Sequence, residues 1–282
     1  MQRARAFYVC AGIFLLAEAD ALHASGLNLG WGPYCPTSVN SLVNINDPCD
    51  GTLGPPTVPY TLIGTVVAPN PAPTMCIAED FFVDIQEGAA ALSDYWHLEN
   101  QNQPGYANFA GCRGANSNGN VSSLQIQAGD PSFPASFAPC VKFWGTSPVG
   151  VINYGVHSPD NYPGVTDPRR ARLIGHFTKS PGTAMAAGTQ YGVFVATLDT
   201  NHQTGVDVAY GPPYYLCSGC ADGVCLVFNE LILYQPPGTP NGNIDVTVQD
   251  THRIVTWQGG GFDCTTVPVK RSTWGQVKSL YR

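Results

Sequence analysis

Positive charge is missing from one long stretch of this chain: no Lys or Arg occurs between Ala6 and Cys112. Charge of either sign is scarce, at 12% of 282 residues, and the formal net charge is −7. That balance disfavours a polyanionic partner, so no nucleic acid is expected to bind. Long apolar runs are missing too. The one continuous run, Ala6 to Ala17, covers twelve residues, short of the roughly 20 needed to span a bilayer, so no transmembrane segment is expected. No His-x-x-x-His or His-Glu spacing is present, which removes the usual signature of a catalytic zinc site. Gly-x-Ser-x-Gly is also missing. In Gly145-Thr-Ser147-Pro148-Val-Gly, Pro148 has no N–H to line an oxyanion hole.

The N-terminus reads as an address. Arg3 and Arg5 precede the apolar run, and Ala19-Asp20-Ala21 places small residues where a signal peptidase cuts, with Leu22-His23-Ala24 a second choice. Cys10 lies within the run, without the small residues of a lipoprotein site before it. Residues 1–21 are therefore expected to be a signal peptide and 22–282 the mature chain, which would be secreted, periplasmic or cell-surface.

Charge in the remainder is uneven. Asp47, Asp50, Glu79, Asp80, Asp84, Glu87, Asp94 and Glu99 fall in the stretch without cations, and after Asp263 only Lys270, Arg271, Lys278 and Arg282 carry charge. The basic tail, 265–282, is expected to dock on the acidic body of its own molecule, since intramolecular contact avoids the entropy cost of association.

Gly (31) and Pro (24) are plentiful, which suits many turns rather than long amphipathic helices. Ten segments rich in β-branched and aromatic residues read as strands: 60–67, 80–86, 95–98, 122–127, 149–156, 171–177, 190–198, 225–234, 244–248 and 253–258. Phe81, Val83 and Ile85 alternate with Phe82, Asp84 and Gln86, and segment 226–234 is apolar on both faces apart from Asn229 and Glu230, as in a central strand. Helical signals are confined to 89–95, 183–188 and 274–280. The expected fold is all-β, a single antiparallel β-sandwich with few short helices and, over 22–58, an extended N-terminal arm or a first hairpin.

Nine cysteines fall in the mature chain, and in an exported protein they are disulfide candidates first. Sequence order suggests Cys35–Cys49 and Cys112–Cys140, with Cys217, Cys220, Cys225 and Cys264 pairing in any of three ways and Cys76 left over. Cys217-Ser-Gly-Cys220 admits two further readings, thiol redox chemistry and a structural zinc held with Cys225 and Cys264. An oxidising compartment favours disulfides over both.

Several segments together resemble a family of uncharacterised exported bacterial proteins. They are Gly26-Leu-Asn-Leu-Gly-Trp31, Tyr95-Trp96 ahead of Cys112-Arg113, Cys217-Ser-Gly-Cys220 through Val224-Cys225-Leu-Val-Phe-Asn229, Val255-Thr-Trp257-Gln-Gly-Gly, and the tail Trp274-Gly-Gln-Val-Lys278-Ser-Leu-Tyr-Arg282. The resemblance implies export and a β-sandwich of the kind seen in cohesin-like and carbohydrate-binding modules. It carries no activity and no functional residues.

Three kinds of site are expected from residue chemistry. Trp96, Trp144, Tyr214, Tyr215 and Trp257 would make a sugar-stacking platform if exposed together, or plug the core if buried. Asn44, Asn46, Asp47 and Asp50, and then Asp199, Asn201 and Asp207, crowd oxygens into two loops. Such loops suit a structural Ca2+, or local Asx turns without one. Among the acids, which include Glu79, Asp84, Glu99, Asp199 and Asp207, Glu230 is the weak catalytic candidate. In a regular strand it would share the face of Leu226, Phe228, Ile232 and Tyr234, where a carboxylate is costly unless paired, for instance with Arg169, Arg170 or Arg172. The expected function is a non-enzymatic module for an extracellular glycan or a surface protein. A secreted polysaccharide hydrolase, which needs two facing carboxylates, is the alternative.

Overall fold

The computed structural model describes residues 26–38, 40–49, 60–96, 124–127, 133–145, 153–157, 166–198, 219–247, 251–259 and 264. Residues 1–21, expected to be a signal peptide, the basic tail, Tyr214, Tyr215 and Asp50 lie outside the described residues, as do Asp199, Asn201 and Asp207. The strands are β1 (Gly26–Trp31), β2 (Asn44–Ile45), β3 (Tyr60–Val67), β4 (Cys76–Glu87), β5 (Leu124–Gln127) and β6 (Asn153–His157), then β7 (Arg170–Thr183), β8 (Gln190–Leu198), β9 (Val224–Tyr234), β10 (Ile244–Thr247) and β11 (Ile254–Trp257). Helical structure among the described residues is limited to 3-10 turns such as Asp94–Trp96, Ala135–Phe137 and Thr251–Arg253. The chain is all-β.

Two sheets form. The smaller runs β1-β3-β8-β5, and the larger runs β2-β11-β9-β4-β7-β6, with β10 beside β11 along the same edge of β9. Among the described strands every pairing is antiparallel except the short parallel contact between β2 and β11, and the isolated Val141–Tyr191 bridge is also parallel. The sheets meet across a shared apolar core, where Phe81 of β4 stacks on Phe194 of β8 with ring centroids 4.4 Å apart. Each ring lies against a glycine of the neighbouring strand. A Cβ at Gly175 would stand 2.0 Å from Phe81, and one at Gly64 would stand 2.2 Å from Phe194. No side chain fits there, so these glycines set how closely the central strands pack.

Most strand expectations hold, β3 and β8 at both ends. Residues 95–98 do not begin as a strand: 94–96 form a 3-10 turn whose Tyr95 and Trp96 rings meet edge to face in the core. Aromatic content there reports burial rather than extended backbone. Of the short helices expected at 89–95 and 183–188, the first is reduced to the 3-10 turn that begins at Asp94, with 89–91 as bends, and the second is absent, Thr183 ending β7. Conversely, Gly26–Trp31, read as part of an arm or first hairpin, is a strand fully paired to β3 and buried along its whole length. Two glycines and no β-branched residue hid it.

The disulfide pairings differ from sequence order. Cys35 bonds Cys140, Cys49 bonds Cys220 and Cys225 bonds Cys264, with sequence separations of 105, 171 and 39. The expected Cys35–Cys49 pairing is thus replaced, and Cys112–Cys140 is excluded because Cys140 is already bonded. The sheets carry residues distant in sequence to within 5.6 to 5.9 Å between Cα atoms, and that proximity, not loop length, selects the partners. Cys76, left over by sequence order, is free and buried.

Segment 133–145 belongs to neither sheet. Phe133 and Phe137 pack with Ile63 and Val195 on the outer face of the smaller sheet, in a satellite core that also holds Cys35 and Cys140. The chain then passes the first half of β8 through a bridge from Val141 to Tyr191. Phe143 and Trp144 finish inside the main core. Among the described residues no helix is long and apolar enough to cross a membrane.

Candidate functional site

The outer face of the larger sheet is chemically unlike its inner face. Alternation along β4 turns Glu79, Phe81, Val83 and Ile85 inward and Asp80, Phe82, Asp84 and Gln86 outward. Register with β7 sets His176 opposite Asp80, Ile174 opposite Phe82, Arg172 opposite Asp84 and Arg170 opposite Gln86. On the other side, β9 faces Asp80 with Ile232, Phe82 with Glu230 and Asp84 with Val227.

A bulge in β9 creates this arrangement. Phe82 pairs Glu230 while the next residue, Val83, pairs Phe228, so Asn229 is an extra residue. Leu226 and Phe228 therefore point into the core, whereas Glu230, Ile232 and Tyr234 point outward. This corrects the expectation that Glu230 shares the face of Leu226 and Phe228, which holds only for a strand of unbroken period two.

The outer face carries two polar rows, Arg172–Asp84 and His176–Asp80, the latter continued by Ile232 on β9, and between them a row of Ile174, Phe82 and Glu230. In one, Arg172 grips Asp84 with both prongs, Nε to Oδ1 at 2.6 Å and Nη2 to Oδ2 at 3.0 Å, and Asp84 is 1% exposed. A bidentate charge-assisted pair of this kind is what permits a carboxylate to be buried. In the other, Asp80 is shared: His176 Nδ1 meets one carboxylate oxygen, and the Tyr234 hydroxyl donates to the other at 2.5 Å. The His176 side chain remains 29% exposed. Burial, the bond to Asp80 and the charge of Glu230 all push the Tyr234 phenol upward, so it stays a neutral donor. Asp80 thus holds an imidazole and a phenol in fixed orientation beside apolar side chains, a mixture able to take a ligand with hydroxyls on one side and C–H groups on the other.

Other sequence candidates fall elsewhere. Trp96, Trp144 and Trp257 are at most 1% exposed, so they form core and not a surface platform. Trp257 is a hub whose ring centroid lies 5.1 Å from Tyr60, 5.5 Å from Trp96, 5.6 Å from Tyr95 and 6.2 Å from Trp31. Its indole donates to the Cys220 carbonyl at 2.7 Å.

In the first Asx loop the side-chain oxygens of Asn44, Asn46 and Asp47 take hydrogen bonds within the protein. Asn44 Oδ1 accepts from Gly259 N and Thr256 Oγ1, and Asn46 Oδ1 accepts from Asn44 Nδ2. Asp47 caps Cys49 N through Oδ1 and takes the Tyr60 hydroxyl on Oδ2. These bonds are those of turns pinned to β11 and β3. The Asp47 carboxylate also lies near the sulfurs of Cys49 and Cys220, but those sulfurs are bonded to each other. The four-cysteine zinc set is overturned on the same ground, since Cys220 and Cys225 are committed to different partners. Cys217 is not the partner of Cys220, which corrects the Cys-x-x-Cys redox reading.

Reasoning from sequence missed the Asp80–His176–Tyr234 group, because its members lie on three strands and share no local motif. Alternation in β4 was the available signal: it set Asp80 on the polar face with Asp84. No protein-family model, curated protein or solved structure matches the chain.

Proposed function

We propose that the chain is an exported, non-enzymatic module that binds a ligand at the outer face of the larger sheet, at His176 and Tyr234 beside the apolar side chains of Ile174, Phe82 and Ile232, with Glu230 on the same face. One observation carries the reading: among the described residues, Glu79, Asp80 and Asp84, and the tryptophans Trp96, Trp144 and Trp257, are committed internally. Asp84 is held by Arg172, Asp80 by His176 and Tyr234, and Glu79 lies between the sheets under Trp144. What remains accessible is a half-exposed, pre-oriented imidazole and phenol beside apolar surface, which is recognition chemistry.

Three disulfides suit an oxidising compartment and agree with a signal peptide over 1–21. The partner class that fits a mixed polar and apolar surface is an extracellular glycan. The test is glycan-array binding by the purified mature protein, with hydrolysis assayed on every hit. Binding that disappears in His176→Ala and Tyr234→Ala, without turnover, supports the reading. Turnover of any bound glycan, or binding indifferent to both substitutions, overturns it.

A further inference from the structure

Glu79 takes no part in the outer-face rows. It sits on the inner face of β4 between Phe177 of β7 and Leu233 of β9, 1% exposed. Trp144 reaches it from outside both sheets, its Nε1 donating to Glu79 Oε1 at 3.0 Å, and the indole packs against Phe177 with centroids 6.1 Å apart. Trp144 lies at the end of segment 133–145, which is stapled to the loop after β1 by Cys35–Cys140 and laid along β8 by bonds from Val141 N to Gln190 O (2.8 Å) and from Gly192 N to Val141 O (2.9 Å). Beyond Val141 the segment is held by side chains. Lys179 Nζ donates to the Phe143 carbonyl at 2.7 Å and lies 4.9 Å from the centroid of that ring. Trp144 and Phe143 thus close one end of the sandwich, opposite the end occupied by Trp257.

We propose that Glu79 and Trp144 form a proton-dependent latch: protonated Glu79 keeps the indole seated between the sheets, and loss of that proton releases residues 141–145 and opens this end of the sandwich.

The physical case rests on where the carboxyl is. An ionised carboxylate between two apolar layers needs a cation or several donors. The charged and titratable groups around it are few. Asp80, next in sequence on the opposite face, repels a negative Glu79. The Cys76 thiol lies at the same end of β4. Lys179 of β7 is engaged by the Phe143 carbonyl. The Tyr191 hydroxyl of β8 accepts from Ala186 N, and β9 contributes Leu233. Burial accordingly pushes the Glu79 carboxyl well above the usual carboxylate range, the Asp80 charge adding to it and the Trp144 bond only partly offsetting it. An N–H donor binds a carboxyl oxygen in either protonation state, so the indole alone does not select the neutral form. Dry burial does. Proton loss is therefore coupled to water entry, and water enters where the closing segment is not part of a sheet.

Cys76 reports on opening, because its thiol is fully buried at this end and is itself pushed upward by burial and by Glu79. The experiment is maleimide labelling of the intact mature protein from about pH 5 to about pH 8.5. Cys76 is scored by peptide mapping, and its rate is divided by that of the same thiol in the urea-unfolded chain to remove ordinary thiolate chemistry. The normalised rate is expected to rise at least about tenfold across this range in wild type, which corresponds to about 1.4 kcal/mol in the opening equilibrium, and to stay flat in Glu79→Gln, which keeps an acceptor for the indole and cannot ionise. Trp144→Phe should label quickly at every pH. Hydrogen exchange of residues 141–145 in unlabelled wild type, corrected for intrinsic pH dependence, should show the same rise. A wild-type profile that coincides with Glu79→Gln, or a Cys76 protected at every pH, would overturn the latch. Neither result touches the glycan-binding test.

Discussion

The two faces of β4 bury carboxyl groups by opposite means. On the outer face Asp84 and Asp80 are charged partners, one clamped by a guanidinium and the other shared by an imidazole and a phenol. On the inner face, one residue away, Glu79 has an indole N–H as its hydrogen-bond donor, and burial keeps it protonated. A carboxyl removed from water must be either compensated or neutral. β4 does both because a strand with period two presents its successive residues to two different solvents. Pairing holds the carboxylates of the outer face through named partners. Neutralisation gives an interior whose stability depends on proton concentration.

The comparison breaks most sharply at Arg172. Arg172→Ala strands the Asp84 carboxylate at 1% exposure, and unfolding in urea should show a loss of about 3–5 kcal/mol. Replacing both partners by similarly sized apolar residues, as in Asp84→Leu with Arg172→Met, should recover most of that loss. If the single substitution is harmless, the outer face is not held by pairing.

Glu79→Gln sharpens the contrast through pH. At or below the usual carboxylate range both folded and unfolded Glu79 are protonated, and no penalty arises. Above it the unfolded chain releases the proton while the folded chain keeps it, so wild-type stability falls as pH rises toward the raised value, by at most about 1.4 kcal/mol per pH unit. Glu79→Gln should therefore be more stable than wild type at about pH 8 and lack that slope. A wild type that gains stability over the same range through this residue would reverse the sign and refute the neutral assignment.

Smaller effects are expected from the shared row and the surface. Tyr234→Phe removes one of the two donors on Asp80 and should cost about 1–2 kcal/mol in thermal or urea unfolding, a test of whether the phenol shares the work of stabilising the carboxylate. Arg169 makes a similar-looking fork with Asp167, Nε to Oδ1 at 3.0 Å and Nη2 to Oδ2 at 2.8 Å, but in solvent. Arg169→Ala should leave the unfolding curve superimposable on wild type, since exposed pairs contribute little. Equal losses at Arg169 and Arg172 would mean that burial is not what separates them.

Much of the framework was legible before folding. The period of two in 81–86, the β-branched run at 60–67 and the apolar run at 225–234 each became strands because side-chain shape and alternation act locally. Residues 26–31 were not legible: their extended backbone is imposed by pairing with β3, which no local preference of Gly-Leu-Asn-Leu-Gly-Trp announces. The tryptophans illustrate the same limit. Composition says that such rings are buried in a core or stacked on a ligand, and only the packing around Trp257 and Trp144 decides for the core.

By itself the sequence determined the all-β class, the turn-rich connections, the polar and apolar faces of β4 and the presence of several cysteines able to cross-link, because composition and short-range periodicity act through nearest neighbours. Tertiary structure alone decided which cysteines meet, how the bulge at Asn229 turns Glu230 away from the core, and that Asp80, His176 and Tyr234 come together from three strands. It also decided that Trp144 reaches Glu79 across the end of the sandwich. Those outcomes depend on register and on contacts between residues 39 to 171 positions apart, and such contacts become favourable only once the sheets have already aligned.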